Sequence, residues 1–147
     1  MAPLLFIWIS CSEHFTNLGQ QSDGASPRSG EQVYAQVCAA CHRSDGAGIV
    51  GVYPPLNGSE WVTQSNEVLI KIVLNGLMGE ITVKGIKYNN VMSPWGSVLN
   101  DQEVANVLTY VRNAWDNQGD AVTSEEVAIV RKENAGHAPW QESDLID

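Results

Sequence analysis

The sequence predicts an all-α domain of three main helices, with one small hairpin before the third and an acidic helical extension after it. Three observations carry that prediction. Apolar residues recur at three- and four-residue spacing in three separate stretches. Each stretch opens on a residue suited to cap a helix, Ser29, Ser65 or Asn100. The alternating pattern of a strand is confined to residues 79 to 91. With 147 residues, 44% of them hydrophobic, the chain is long enough for one core and too short for two ordinary domains. It divides into a leader over 1–15, a flexible linker over 16–29, a folded domain over 30–118 and an acidic tail with a short helix over 119–147.

The linker reads TNLGQQSDGASPRS, rich in Gly, Ser, Gln and Asn, and such a composition cannot bury a core. Ser29 followed by Gln32 forms a capping box, and Val33, Val37 and Ala40 share one face, so a first helix is expected over residues 30 to 41. After it, Gly46, Gly48 and Gly51 suit a tight loop closing around a flat ligand, and Tyr53-Pro54-Pro55-Leu56 follows as a stiff segment. Ser65 caps a middle helix running to about Asn75, with Val68, Leu69, Ile72 and Val73 as its apolar stripe and Gly76 as its stop. Ile81 and Val83, then Lys84-Gly85, then Ile86 and Tyr88 read as the hairpin. The closing helix starts at Asn100, boxed by Glu103, and its stripe of Val104, Val107, Leu108, Val111 and Trp115 should pack across the first helix. Thr123 with Glu126 marks a further short helix over 124 to 134, before a loose end.

The formal charge of −9 argues against a nucleic-acid partner, whose phosphates would repel such a surface. The charge is uneven. From Asp116 to Asp147 eight acids face only Arg131 and Lys132, whereas Arg28 to Trp115 carries six bases and seven acids. Overall acidity therefore describes the tail, not the surface of the folded domain.

Cys38-Ala39-Ala40-Cys41-His42 is the motif that carries chemistry. On a helical turn the two thiols lie on one face, spaced to meet the two vinyl groups of a porphyrin, and the imidazole follows where it can turn under the iron. Zinc is the first rival, but a zinc site needs two more ligands; the third cysteine, Cys11, lies in the leader, and His14 and His137 lie near the two ends. A thioredoxin-like pair is the second, and it would open a helix after a strand rather than close one. The motif therefore points to one covalently attached haem, haem c, with His42 as a ligand of its iron.

The second axial position separates electron carriers from oxygen or sensor chemistry. Met92 is the candidate, standing 50 residues after His42 in a loop that Pro94 stiffens. Met78, beside Gly76 and Gly79, is the rival and reads as filler of the core.

Across residues 30 to 118 the chain resembles a class I cytochrome c. The likeness rests on Cys-x-x-Cys-His closing the first helix, the Gly-rich loop into Pro54-Pro55-Leu56, the middle helix, Met92-Ser93-Pro94-Trp95 and the closing amphipathic helix. Tyr53 to Leu56, Asn57 to Val62, Gly85 to Met92 and Val107 to Asn113 are similar to the small cytochrome domains attached to, or partnering, bacterial periplasmic oxidoreductases. Many such domains carry proline directly after the methionine; here Ser93 intervenes. The resemblance implies a class I fold and one-electron transfer between donor and acceptor proteins, not catalysis. It implies that the Pro54 carbonyl orients His42, and that Tyr53, Trp61, Asn75 and Trp95 line the pocket or hydrogen-bond the propionates. Two other functions stay open at this point, a redox subunit held permanently in an enzyme complex and a five-coordinate haem enzyme or gas sensor.

Leu4 to Ile9 followed by Ser10-Cys11 resembles a bacterial export signal running into a lipoprotein cleavage site, although no Lys or Arg precedes it; the other reading is an apolar segment packed on the domain. Haem attachment outside the cytoplasmic membrane agrees with export, giving a periplasmic or extracytoplasmic location. If Cys11 is lipidated, a tether of about 18 residues joins the membrane to the domain.

Overall fold

Helix α1 begins where the sequence caps it. The Ser29 hydroxyl accepts from the backbone N–H of Gln32, and the Gln32 side chain accepts in return from the Ser29 N–H. The computed structural model describes residues 26–146; the leader with Cys11, and the linker as far as residue 25, lie outside the described residues.

α1 runs as Gly30–Val33, continues as a π-helical stretch Tyr34–Cys38 and ends as Ala39–His42. The wider turn, closed by the Ala39 N–H on the Tyr34 carbonyl, slips the buried face round the helix by one residue. Val37, Cys38 and Ala39 therefore pack on the core, and Ala40, expected on the buried face, is exposed. The π turn thus decides how the cysteine pair is presented.

Helix α2, Asn66–Asn75, is capped by Ser65, and helix α3, Asp101–Asn113, by the Asn100–Glu103 box. α3 packs across α1, joined there by an edge-on contact of Tyr34 with Trp115 at 5.3 Å and a tilted one with Tyr110 at 5.6 Å. Strands β1, Ile81–Val83, and β2, Ile86–Tyr88, form the expected antiparallel hairpin, with Val83 opposite Ile86. Its two-residue turn has Lys84 at φ 50° and Gly85 at φ 75°, the paired left-handed conformation that matches strand twist.

The tail departs from expectation. Helix α4, Ser124–Glu133, is boxed by Thr123 and Glu126 as its sequence predicts, yet it is part of the main core rather than an appendage. Val127, 0% exposed, and Val130 join Ile70 and Leu74 of α2 and Val104 and Leu108 of α3 in one apolar cluster. α2 therefore buries two faces, and the stripe of Val68, Leu69, Ile72 and Val73 accounts for only one. The expected loose end is ordered too. Trp140 donates its backbone N–H to Gly76 O and accepts from Met78 N, lying parallel beside Leu77, whose other flank pairs antiparallel with Met92. Trp140 completes a second apolar cluster with Trp61, Ile72, Leu77, Ile81, Val83 and Tyr88. Met78, expected as filler, is 40% exposed, because its neighbour Leu77 takes the inward position of this short ladder. Among the described residues no helix is long and apolar enough to cross a membrane.

Candidate functional site

A cleft opens between the end of α1, the segment 52–56, α2, the hairpin and the segment around Met92. It comprises two adjoining cavities with about 700 and 920 Å³ of empty space, counting the solvent at their mouths. Cys38, His42, Pro54, Leu77, Ile81 and Met92 line both. The inner cavity is otherwise walled almost wholly by apolar side chains, among them Leu56, Val62, Leu69, Val73, Leu108 and Val111.

His42 is oriented by its neighbour across the loop. Its Nδ1 lies 2.9 Å from the carbonyl oxygen of Pro54. A carbonyl only accepts, so Nδ1 carries the proton and Nε2 is left with a free lone pair. Burial lowers the imidazole pKa below its ordinary value, against the opposing pull of that hydrogen bond, so the ring is the neutral ligand-competent form at neutral pH. The loop is built to deliver this carbonyl. Gly48 N donates to His42 O, Ile49 and Tyr53 exchange backbone hydrogen bonds, and Tyr34 Oη donates to Arg43 O at 2.6 Å. Gly48, at φ 63°, has no room for a side chain: a Cβ would stand 2.3 Å from Tyr53 O and 2.6 Å from Pro54 O.

Cys38 and Cys41 lie at the mouth of the cleft and form no disulfide with each other. Burial, and secondarily the neighbouring Cys41, pushes the Cys38 thiol up to about 11. A dithiol redox site needs the opposite, a thiolate stabilised at neutral pH. Among the described residues no group of three or more His, Cys, Asp or Glu side chains is assembled in one place.

Met92 is fixed by its own backbone, which both donates to and accepts from Leu77, at 2.8 and 3.1 Å. Gly76 makes that approach feasible, since a Cβ there would stand 2.5 Å from Met92 O. Of the remaining residues singled out in the sequence, Trp61 lines the inner cavity, and Tyr53 and Trp95 the outer one. The Trp61 Nε1–H is already given to Thr82 O at 2.9 Å, so this indole serves as wall rather than as donor. Asn75 lies elsewhere: its amide donates to Asn134 O and His137 O, tying α2 to the tail, and it lines neither cavity. The apolar wall of Leu77, Ile81, Val83 and Val111 was not singled out as site, because nothing in its residue types separates a cofactor wall from ordinary core.

A neutral imidazole with its lone pair free, a thioether, two thiols not joined to each other and an apolar slot form a donor set that fits haem, whose iron takes nitrogen and sulfur ligands. Comparison with known proteins places the molecule in a class: it is a mono-haem cytochrome c domain, an electron-transfer protein rather than an enzyme, and its cofactor is one covalently bound haem c. The family described as cytochrome C oxidase, cbb3-type, subunit III matches residues 25–111, and the chain belongs to that family. It is 43% identical over 123 residues to cytochrome c-552 of Thermus thermophilus, covering 76% of this chain and 86% of that one. It is 35% identical over 130 residues to the gluconate 2-dehydrogenase cytochrome c subunit of Pantoea cypripedii, covering 83% of this chain and 28% of the subunit. With the cytochrome c subunit of the quinone alcohol dehydrogenase of Gluconacetobacter polyoxogenes it shares 30% over 109 residues, 72% of this chain and 23% of the subunit. The chain thus spans about a quarter of the length of those two dehydrogenase subunits.

Proposed function

We propose that Cys38 and Cys41 form the two thioether bonds to haem, that His42 and Met92 are its axial ligands, and that the protein shuttles single electrons between extracytoplasmic redox proteins. The observation that carries the reading is the 2.9 Å contact of His42 Nδ1 with Pro54 O inside an apolar cleft that Met92 also lines. Bound haem supplies the one-electron chemistry, cycling between ferrous and ferric iron. The residues set its terms. Pro54 raises the basicity of His42 and holds its ring still, so that orientation is not lost at each redox change. The apolar wall excludes water and disfavours added positive charge, which favours the reduced state, and thioether ligation acts in the same direction. With both axial positions taken, no open site remains for a substrate, which sets the carrier reading above the haem enzyme and the gas sensor.

Permanent docking in an enzyme complex draws no support from the tail. The apolar side chains Val127, Val130 and Trp140 of the tail are spent on the domain's own core, and Trp140 is 7% exposed. A free carrier with transient partners is therefore the preferred reading. The leader would direct export and Cys11 would tether the domain to a membrane; mass spectrometry of the mature protein tests this, and an unprocessed N-terminus with unmodified Cys11 would overturn it.

Treatment of the purified protein with acid acetone tests attachment. Pigment should stay with the wild-type chain and be extracted from a Cys38→Ala, Cys41→Ala variant, while the pyridine haemochrome of the wild type should report two thioethers. Extraction of the wild-type pigment would overturn the assignment.

A further inference from the structure

We propose that Arg131 of the tail helix α4 is a positioning residue for the Met92 segment, holding the axial sulfur in place from outside the cleft. The inference rests on the reading of Met92 as ligand. The tail grips this segment at both ends. Upstream, Leu77 pairs with Met92 on one side and is backed on the other by Trp140, which bonds to Gly76 and Met78. Downstream, Trp95 N and Gly96 N donate to Val73 O and Leu74 O at the end of α2, and Arg131 closes the turn that follows. Its Nη1 donates to Gly96 O, its Nη2 to Leu99 O at 2.9 Å, and its Nε to Asp101 Oδ1 at 2.7 Å. Ser93 and Pro94 are the only residues left between the Met92 and Trp95 anchors.

The choice of side chain matters. The planar guanidinium spans two carbonyls and a carboxylate at once, which neither lysine nor glutamine can do. Asp101 sits at the start of α3, so one side chain ties the segment after the ligand to α3 and to the tail together. Arg131 lines neither cavity, and its action on the site is through Gly96 and Leu99 alone. Movement of the segment would carry the Met92 sulfur out of place, and motion is what this fork resists.

Added imidazole reads that motion, since its apparent affinity for the ferric protein scales with the fraction of molecules in which the methionine has left. In the holoprotein, Arg131→Gln should raise imidazole affinity about tenfold and lower the temperature at which the near-infrared sulfur-to-iron band disappears, ahead of global unfolding. Arg131→Lys keeps the charge beside Asp101 without the fork and should behave as Arg131→Gln does; it also serves if the glutamine variant does not accumulate. Val127→Ala destabilises the same helix without touching the segment, and should leave imidazole affinity within about twofold of wild type. Wild-type affinity in both Arg131 variants, or an equal rise in Val127→Ala, would overturn the proposal. A wild-type ferric protein without the near-infrared band would instead refute Met92 as ligand, and the proposal with it.

Discussion

Gly48 packs against the Pro54 carbonyl so tightly that a Cβ would stand 2.6 Å from the oxygen that holds His42. Gly76 stands in the same relation to Met92 O, at 2.5 Å, so each residue proposed here as an axial ligand is backed by a glycine with positive φ. The backbone, not the cleft wall, sets where these two groups point.

Gly48→Ala should therefore act on the proximal side. The strain of a left-handed alanine and the clash with Pro54 each cost about 1 to 3 kcal/mol, and either the loop shifts or the carbonyl turns from His42. The expected outcome is a lower melting temperature together with a higher reduction potential, as the imidazole loses the acceptor that raises its basicity and with it its preference for ferric iron. Cyclic voltammetry and thermal unfolding on one sample check this; a destabilised protein with unchanged potential would show that the loop relaxes without moving Pro54.

On the ligation proposed above, Met92→Ala would open the second axial position. The variant should lose the near-infrared band, bind carbon monoxide readily when reduced and show a lower potential, while Met78→Ala, at a 40% exposed position, should change none of these. Retention of the band in Met92→Ala would move the ligand elsewhere.

Much of this was readable from the residues because it is local. The capping boxes at Ser29, Asn100 and Thr123 form as written, Lys84-Gly85 turns the hairpin, and Cys38 to His42 close the first helix. What escaped depends on tertiary partners. Ala40 fits an α-helical stripe and is exposed because five residues of π-helix shift the register, an event that periodicity at 3.6 residues cannot register. The acidic composition after Gly119 describes the solvent face of α4 and conceals that Val127 and Val130, three positions apart, are enough to seat it on α2 and α3. The resemblance to class I cytochromes implies a pocket role for Asn75, yet its amide nitrogen donates to carbonyls 59 and 62 residues away in the tail.

Acid should weaken the junction of linker and domain. The Glu103 carboxyl lies below its ordinary value of 4.5, chiefly through the hydrogen bond from Arg28 at 2.6 Å. A carboxyl depressed in the folded state adds stability above its unfolded pKa and loses it as pH falls through the folded one. Glu103→Gln keeps an acceptor for the Asn100 cap but not the ion pair. It should melt lower than wild type at neutral pH, and the gap should begin to narrow as pH falls below the ordinary carboxyl value and close as the wild-type carboxyl is protonated at its lower folded value. Melting curves across that range decide it; a gap independent of pH would place the loss in packing.

Val127 decides whether the tail is structural cement or ornament. It is fully buried in the cluster that unites α2, α3 and α4, so Val127→Ala removes two methyl groups from a site with no solvent to fill the space. At about 0.8 kcal/mol per methylene plus a cavity contribution, the loss should be about 2 kcal/mol. For a chain of this size that is a fall of about 4 to 8 °C in melting temperature. Because the tail shares the main core, unfolding of the variant should stay a single transition, with the haem absorbance and far-ultraviolet circular dichroism losing structure together. An unchanged midpoint, or an early phase seen only by circular dichroism, would mean that α4 unfolds alone, and that the domain's core is complete without it.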